Sequence, residues 1–585
     1  MDFFSVLSLL GGLALFLYGM DVMGDGLKKL SGGKLEYILG KLTANKFKGF
    51  LLGFIVTAVI QSSSATTVML VGFVNSGIMR LSQTIAPIMG ANVGTTVTAW
   101  LLSTTGISGD SFFLKILKPD AWTPVLAAIG VGMIMFSKSD KKKNISMILV
   151  GFAVLMFGME TMSAAVSGLK ENESFTRILI MFQNPIMGIL AGLILTAIIQ
   201  SSSASVGILQ ALSATGTISY AAAIPIILGQ NIGTTITPIL SSINGNTDSK
   251  RVAFTCLYIK MIGVVIVSGV FYLLHSIIRF AFMQEMVNAF NIAVVHTLFN
   301  IISTIVLIPF TKQIEKLALI TIKGKKTEEK EYDSLSALDD RFLAVPGFAV
   351  EKCRELTYEM AKISEAAVKK STFLLESYDA KEDEWVTEQE NAVDKYEDKL
   401  SAYLVKLATE KINSNDSMQV TKLLHVVGDV ERISDHAVNI LETAREINQK
   451  QIKFSDEATQ EIKVLKDAVH EILSITTQML KNDNVELAKS VEPLEQIIDK
   501  LKKNIKHNHI KRLQVGECTV ELGFILSDLL TNFERIADHC SNIAVAILGN
   551  ANSMFESHDY LQHVKNDGEN EFFEKYDYYN KKYVV

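Results

Sequence analysis

Two short polar stretches interrupt long apolar runs in the first half of the chain. The first reads QSSSATT and covers residues 61–67, and the second reads QSSSAS and covers residues 200–205. Hydroxyl and amide groups that are unpaired in an apolar medium are costly, so they must bind one another or a ligand. A broken helix exposes backbone N–H groups that attract an anion, while Gln, Ser and Thr oxygens suit a small hard cation such as sodium. The pattern therefore predicts an ion-binding site inside a membrane.

The polar stretches are part of an internal duplication. A second motif follows each of them, GANVGTT at 90–96 and GQNIGTT at 229–235, and LYGMD at 17–21 is echoed by MFGME at 156–160. In all three pairs the copies lie 139 residues apart. Paired broken helices in two repeats are the usual sequence pointer to the binding site of a secondary transporter.

Composition divides the 585 residues into two parts. Apolar residues make up 49% of the chain and dominate as far as about residue 311, whereas Lys, Glu and Asp are frequent from about residue 324 onward. This predicts an all-α protein: a membrane transporter domain followed by a soluble helical bundle. The net charge of −6 argues against nucleic-acid binding. The four scattered cysteines indicate reduced thiols, and Asp2 ahead of the first apolar run indicates a retained span rather than a cleaved signal.

Seven apolar stretches are predicted to span the membrane, at residues 3–22, 84–103, 122–138, 145–165, 222–241, 252–275 and 290–311. Two further stretches, 47–79 and 186–214, carry QSSS at their centres and are interpreted as re-entrant hairpins; two ordinary spans with a polar kink are the alternative. The predicted organisation is a transporter domain at 1–311 (repeat 1 at 3–138, repeat 2 at 145–275, last span at 290–311), a linker at 312–345, a helical domain at 346–560 and a C-terminal tail at 561–585.

The distribution of basic residues predicts the orientation. If the second half is cytoplasmic, the cytoplasmic segments of the first half carry 13 Lys and Arg residues and the outer segments carry five. This asymmetry satisfies the positive-inside rule, so we expect a multi-pass protein of the cytoplasmic (inner) membrane whose C-terminal domain is cytoplasmic. An odd number of crossings separates the hairpins, which predicts inverted repeats and alternating access. No P-loop is present and no G-x-S-x-G elbow surrounds the serines, so we expect neither ATP-driven transport nor an enzyme.

The doubled QSSS core, each copy followed by GxNxGTT, resembles the type II sodium–phosphate cotransporter family over roughly residues 5–312. In that family the QSSS regions form the site for phosphate and its co-substrate, the sodium ion. The resemblance implies that the site is formed by Gln61, Ser62, Ser63, Ser64, Thr66, Thr67, Gln200, Ser201, Ser202, Ser203 and Ser205, with Asn92, Thr95, Thr96, Asn231, Thr234 and Thr235 lining the same cavity. Because Ser205-Val206 stands where the first copy has Thr66-Thr67, the two halves cannot coordinate ions identically.

One span departs from the family pattern. Members often carry an HxxFN-like element in the last spans; HTLFN at 296–300 keeps it, but the preceding span reads CLYIK at 256–260. Lys260 would lie about 13 Å into its span, at about 1.5 Å per residue. An intramembrane lysine is a functional candidate, although it could instead snorkel to a cytoplasmic cavity or pair with a carboxylate. We interpret His296 and Asn300, one helical turn apart, as an interhelical pair with satisfied hydrogen bonds.

The second half resembles a tandem PhoU-type domain, which is known as a regulator of phosphate uptake. It contains four E/D-x-x-x-D pairs, and residues i and i+4 lie on one face of a helix. Two facing pairs would provide an all-oxygen site for a divalent metal. The predicted sites are Glu390, Asp394, Glu431 and Asp435, and Glu495, Asp499, Glu534 and Asp538. The alternative is a solvated acidic face with Arg432 and Arg535 as counter-ions.

Together these features predict sodium-coupled symport of inorganic phosphate across the cytoplasmic membrane, with a cytoplasmic PhoU-like regulatory domain. The alternatives are a membrane phosphate sensor or regulator without turnover, and a carrier of another oxyanion. The expected partners are phosphate, sodium and the lipid membrane, with no nucleic acid. The helical domain would bind a cytoplasmic regulatory partner or form a homo-oligomer.

Overall fold

The computed structural model describes residues 3–31, 45–104, 119–167, 173–324, 334–410, 412–549 and 569–584. Within these ranges every regular element is a helix, so the predicted all-α class is confirmed. The chain divides into two compact units, Met1–Phe348 and Ala349–Val585. Of the basic residues counted for the orientation, Lys34, Lys41, Lys115, Lys118 and Lys170 lie outside the described residues, as does part of the predicted C-terminal tail.

The first unit contains α1 (Phe3–Ser31), α2 (Lys46–Ile60), α3 (Ser63–Asn75), α4 (Leu81–Gly94), α5 (Thr96–Ser103), α6 (Pro119–Phe136), α7 (Asp140–Val166), α8 (Glu173–Met181), α9 (Pro185–Ile199), α10 (Ser202–Ser213), α11 (Tyr220–Gly233), α12 (Ile236–Ser242), α13 (Thr247–Ile278), α14 (Ala289–Leu307) and α15 (Thr311–Thr321). Short 3-10 helices lie at Ala281–Gln284, Ile308–Phe310, Ser334–Ala337 and Asp340–Ala344.

The second unit consists of α16 (Pro346–Leu374), which begins just before the division, α17 (Ala380–Ala408), α18 (Ser414–Lys450), α19 (Asp456–Asn482), α20 (Val485–Ala488), α21 (Val491–Gln514), α22 (Val520–Leu548) and α23 (Glu569–Lys582). Each long helix buries an apolar stripe at three- and four-residue spacing, as in Leu465, Val469, Ile472 and Leu473 of α19. Helix α18 packs on α17 and α22, and α21 packs on α19 and α22. The charged composition is therefore that of an amphipathic bundle.

Six helical stretches among the described residues are long and apolar enough to cross a membrane: Phe3–Leu30, Leu81–Ser103, Asp140–Val166, Tyr220–Ser242, Thr247–Ile278 and Ala289–Thr321. They coincide with six of the seven predicted spans, and the seventh, at 122–138, falls on the shorter apolar helix α6. The stretches interpreted as hairpins each contain two short helices, α2 with α3 and α9 with α10. We call residues 46–75 hairpin 1 and residues 185–213 hairpin 2; their re-entry into the membrane stays a prediction.

Helices α1 and α7 pack closely against each other at glycines that are seven residues apart on each helix. A Cβ at Gly12 would lie 3.0 Å from the carbonyl oxygen of Gly158, and a Cβ at Gly19 would lie 2.6 Å from that of Gly151. Rising residue numbers on α1 therefore meet falling numbers on α7, so the two helices are antiparallel. Small residues let the backbones approach this closely, which is how helices associate without a hydrophobic driving force.

The same packing recurs inside each repeat. A Cβ at Gly90 of α4 would overlap the carbonyl oxygen of Phe50 in α2, and a Cβ at Gly229 of α11 would overlap that of Ile189 in α9. The second pair follows the first by the 139-residue offset. Each GxNxGTT motif therefore begins with the glycine that fixes its helix against the first arm of a hairpin.

Candidate functional site

A left-handed glutamine ends the first helix of each hairpin. Gln61 has φ 60° and ψ 23°, and Gln200 has φ 58° and ψ 19°. Their backbone N–H groups donate to the carbonyl oxygens of Thr57 and Thr196, at 2.8 and 2.7 Å. Positive φ is uncommon outside glycine, and it stops the helix and turns the chain. The polar stretches are therefore tight turns that join two short helices.

A serine then caps the second helix of each hairpin. The Oγ atom of Ser62 accepts the Ala65 N–H and the Oγ atom of Ser201 accepts the Ala204 N–H, both at 3.2 Å. The first N–H groups of a helix have no acceptor within it and carry partial positive charge. Helices α3 and α10 thus each begin with a serine-rich N-terminus that suits an anion.

Buried hydroxyl groups tie the two arms of each hairpin together. The Thr57 hydroxyl donates to Thr66 Oγ1 at 3.0 Å, and the Thr196 hydroxyl donates to Ser205 Oγ at 2.8 Å. Thr67, which has Val206 as its counterpart, donates to the carbonyl oxygen of Ser63 at 2.8 Å. Thr66 and Ser205 are therefore equivalent in role, whereas Thr67 and Val206 at the next position differ.

The two glutamines have different environments. Gln61 is 8% exposed, its Oε1 accepts from the Thr98 hydroxyl at 2.7 Å, and its amide nitrogen donates to the carbonyl oxygen of Ala58. Gln200 is exposed. The hydroxyl of Thr237, the repeat counterpart of Thr98, is buried without a hydrogen-bond partner among the described residues. Identical sequences therefore occupy unequal environments.

The two repeats interlock at the predicted site. Helix α3 of hairpin 1 packs against α12, which follows GQNIGTT, and α10 of hairpin 2 packs against α5, which follows GANVGTT. For example, the side-chain amide nitrogen of Gln210 in α10 donates to the carbonyl oxygen of Ala99 in α5 at 3.0 Å. Each hairpin therefore contacts the helix that follows the second motif of the opposite repeat.

The predicted residues of GANVGTT and GQNIGTT lie at or near the junctions of α4 with α5 and of α11 with α12. Thr95, Thr96, Asn231, Thr234 and Thr235 are buried, and Asn92 is half-buried. The threonine hydroxyls donate to carbonyl oxygens three or four residues earlier in the chain, at 2.7–2.9 Å. Because the hydroxyl protons of Thr95, Thr96 and Thr235 are used in this way, the lone pairs of these three oxygen atoms stay available to a cation, whereas the Thr234 oxygen accepts from Lys260.

Lys260 lies where the two repeats meet. It is 6% exposed, and its ammonium group donates to the hydroxyl of Thr234. One helical turn earlier, the thiol of Cys256 is within hydrogen-bonding reach of Thr67 in hairpin 1. Among the residues that the structure describes, no carboxylate forms an ion pair with Lys260. A lysine of α13 therefore lies between motif residues of both repeats without an ion-pair partner among the described residues.

The interpretation of His296 and Asn300 as a satisfied interhelical pair is wrong. The Asn300 side chain donates within its own helix, to the carbonyl oxygen of His296 at 2.8 Å. The Nδ1 atom of His296 is buried and has no hydrogen-bond partner among the described residues. The one-turn spacing of the two residues favours a bond along the helix over one to a neighbouring helix.

Gln210 and Gln230 were not among the predicted site residues. Both are 1% exposed, and the Gln230 amide nitrogen donates to the carbonyl oxygen of Ser205 at 3.0 Å. The Oε1 atoms of both glutamines are buried without a donor among the described residues. The signal in the sequence is GQN in repeat 2 against GAN in repeat 1, which places an amide where the other repeat has a methyl group.

In the second unit, three of the first four predicted metal ligands come together. Oxygen atoms of Glu390, Asp394 and Asp435 all lie within 4.8 Å of one another. Burial, followed by the charge of the neighbouring acids, raises the pKa of Glu390 and of Asp394. Burial and the charge of Asp435 raise the pKa of Glu431 to about 7. Glu390, Asp394 and Asp435 are the residues here that could hold a divalent cation.

The second predicted set is arranged differently. Lys502 forms an ion pair with Glu534, Arg535 donates to Asp538 at 3.3 Å, and Lys503 lies 3.6 Å from Asp499. Burial, and then the charge of Glu492, raises the pKa of Glu495 to about 8. These four carboxylates are not gathered as closely as the first three in the described part of the chain. Three of these four carboxylates therefore have a basic neighbour.

Family models match both units. The Na+/Pi-cotransporter family model matches residues 15–164 and 155–291. The PhoU domain model matches residues 357–444 and 462–547. Each model therefore matches twice, which agrees with the 139-residue duplication of the first half and with the paired acidic motifs of the second half.

Curated relatives cover the chain to different extents. "Putative inorganic phosphate export protein YjbB" of Salmonella typhimurium is 23% identical over 93% of this chain and 97% of its own length. "Uncharacterized protein YqeW" of Bacillus subtilis is 28% identical over 53% of this chain and 96% of its own length. "Sodium-dependent phosphate transport protein 2A" of Rattus norvegicus is 39% identical, but over 15% of this chain and 14% of its own length.

Among solved structures, PhoU from Pseudomonas aeruginosa matches 34% of this chain and 94% of its own, with 20% identity and a TM-score of 0.32. PhoU from Streptococcus pneumoniae matches 34% of this chain and 93% of its own, with 15% identity and a TM-score of 0.31.

Proposed function

Because the first half of this chain belongs to the Na+/Pi-cotransporter family and the second half carries PhoU domains, we propose that the protein is a sodium-coupled symporter of inorganic phosphate. The observation that carries the proposal is the interlocked pair of serine-capped hairpins, each in contact with the helix after the opposite GxNxGTT motif. This arrangement supports a site that combines anion-attracting helix ends with oxygen atoms suited to a cation. Membrane crossing follows from the family and from the six apolar helical stretches among the described residues.

Phosphate binds at the N-termini of α3 and α10. Ser63 and Ser202 begin these helices, and Gln61 and Gln200 supply amide groups that can both donate and accept. Two helix N-termini from opposite repeats provide partial positive charge without a net charge of their own. The phosphate oxygens replace the water molecules that these N–H and hydroxyl groups would otherwise bind.

Sodium binds to the oxygen atoms around the broken helices. The hydroxyls of Thr66 and Thr95 and the side-chain oxygen of Asn231 are of the hard type that sodium prefers. Bound sodium partly neutralises phosphate, so the doubly loaded site is more stable than either singly loaded one. That coupling free energy links the two fluxes.

Lys260 contributes a fixed positive charge to the phosphate path. A charged group in the membrane interior is costly unless a counter-charge is present, and here a phosphate anion provides it. Its bond to Thr234 and the contact of Cys256 with Thr67 place this charge beside motif residues of both repeats. The neutral counterpart in repeat 1 is Ala121, so the site is electrostatically asymmetric.

The second unit is a cytoplasmic regulatory domain in this proposal. A divalent cation held by Glu390, Asp394 and Asp435 would neutralise these carboxylates and hold α17 against α18.

The direction of net phosphate movement follows from the sum of the sodium and phosphate gradients, because a symporter is reversible. The same protein therefore serves uptake or export according to conditions.

Purified protein in proteoliposomes tests the proposal. With sodium outside, radiolabelled phosphate should accumulate above its equilibrium level, and replacement of sodium by potassium should abolish the accumulation. Saturable phosphate binding without flux would show a sensor instead. Sulfate that competes as well as phosphate would show a carrier of another oxyanion.

A further inference from the structure

Residues 334–348 fold back onto hairpin 1, and we call this segment the strap. It consists of the 3-10 helices Ser334–Ala337 and Asp340–Ala344 and the first residues of α16. It belongs to the first unit, and the second unit begins at the next residue, Ala349. Its composition predicts a linker, but the segment is packed in the structure.

Polar contacts hold the strap to the C-terminal end of α3. The Asn75 amide nitrogen donates to Asp339 Oδ2 at 2.7 Å, and the Ser336 hydroxyl donates to the carbonyl oxygen of Ser76 at 3.0 Å. The other oxygen of Asp339 accepts the backbone N–H of Arg341 at 2.9 Å. Asp339 therefore organises the strap and binds the hairpin at the same time.

An aromatic cluster seals the contact. Phe342 is fully buried, and a Cβ added at Gly72 of α3 would lie 2.8 Å from its ring. The ring centroids of Phe73, Phe342 and Phe348 are 4.8–5.3 Å apart. Because a 13-residue helix is a rod of about 20 Å, a shift of α3 at Gly72 is transmitted to Ser63 at its other end.

Hairpin 2 is held by different partners. Helix α10 packs against α7 and α1, where Gly207 meets the ring of Phe16. Helix α3 instead packs against the strap through Asp340–Ala344. Equivalent hairpins in unequal surroundings are what an inverted-repeat carrier shows in one of its two access states.

We propose that the strap is a positioning latch, which holds hairpin 1 in the conformation of this structure and must release α3 when the carrier reaches its opposite conformation. This inference rests on the proposed function as a carrier. Packed interfaces have discrete alternatives rather than a continuous range, so the aromatic cluster is either formed or open. Phe348 lies on α16, which continues into the second unit.

A reversible cross-link tests the latch in the full chain. Asn75→Cys combined with Asp339→Cys replaces two side chains that meet through their terminal atoms, so a short bifunctional methanethiosulfonate should join the two cysteines through reducible disulfides. We expect the cross-link to lower phosphate flux more than tenfold and a reductant to restore it. The single variants, which share the native Cys256, Cys353, Cys518 and Cys540, are the controls. A fully cross-linked protein with unchanged flux would overturn the latch.

A second measurement separates failure of the latch from failure of the proposed function. Ala337→Cys places a thiol at a buried position of the strap and keeps the aromatic cluster, so the thiol is protected while the latch is closed and reacts with a maleimide when it opens. We expect the labelling rate to change at least threefold between sodium alone and sodium with phosphate, after subtraction of the wild-type rate. No phosphate flux in any variant refutes the proposed function, and the latch is then judged by labelling. A rate that is equal in all ion conditions refutes the latch.

Discussion

Lys260 is a buried lysine of the first unit that has no ion-pair partner among the described residues. If its ammonium group attracts phosphate, Lys260→Met should raise the phosphate KM at least about tenfold, or about 1.4 kcal/mol. Lys260→Arg keeps the charge and should raise it less. Initial rates of uptake at varied phosphate concentration measure the difference.

Lys250→Met, which removes a lysine from the same helix near its N-terminal end, is the matched control. It should leave the phosphate KM unchanged. Equal effects of Lys260→Met and Lys260→Arg would mean that the side chain acts through packing rather than charge.

The hairpin serines are the second test at this scale. Ser63→Ala and Ser202→Ala each remove one hydroxyl ligand, so we expect each to weaken transport by about 1–3 kcal/mol. Ser276→Ala, which removes an exposed hydroxyl from α13, should have no effect. Normal flux in both hairpin variants at equal expression would refute the assignment of phosphate to these helix ends.

Sequence reasoning at the residue scale succeeded where residue type alone decides. The QSSS motifs indicated a helix break, and each occurs at a turn between two helices. It failed for His296, because the type of a residue does not tell which neighbour its ring will meet. The sequence also could not distinguish Gln61 from Gln200. The two motifs are identical around these residues, and their surroundings differ only in the folded conformation.

At the scale of helices, close backbone contact should control stability. Gly229→Ala places a methyl group against the carbonyl oxygen of Ile189, so α11 and α9 must separate. We expect the free energy of unfolding to fall by about 1–3 kcal/mol, as for other overpacked sites. Thermal unfolding of the detergent-purified protein measures the loss.

Gly269→Ala is the matched control, because nothing lies within 4 Å of a Cβ built at that position. It should be neutral or slightly stabilising, since alanine favours a helix. Equal losses in the two variants would show that helix propensity, and not the α9–α11 contact, limits stability.

Apolar length predicted the long helices well, because a membrane span needs a long apolar run. The stretch at 122–138 was predicted as a full span and lies on a shorter apolar helix. The strap was the harder case: its charges and Pro346-Gly347 are typical of a linker, and its packing depends on Phe342 and Phe348. Two aromatic residues are too weak a signal to predict a docked segment.

For the second unit, bound metal should stabilise the bundle by mass action. With a divalent cation at about 100 times its Kd, we expect about 2.7 kcal/mol of added stability. Glu390→Gln together with Asp435→Asn should remove the shift, and Glu446→Gln, an exposed carboxylate paired with Lys450, should keep it. Thermal unfolding of the full chain with and without manganese measures this. A shift of equal size in the double variant would place the metal elsewhere.

At the scale of the whole molecule, the account requires that sodium and phosphate move together. The most direct measurement imposes a phosphate gradient across proteoliposomes that hold equal sodium on both sides and follows radiolabelled sodium. If the protein is a symporter, sodium moves in the same direction as phosphate even as a sodium gradient builds up against it. Reversal of the phosphate gradient then reverses the sodium flux. Phosphate that equilibrates without displacing sodium, or a protein that binds phosphate without moving either ion, would contradict the account.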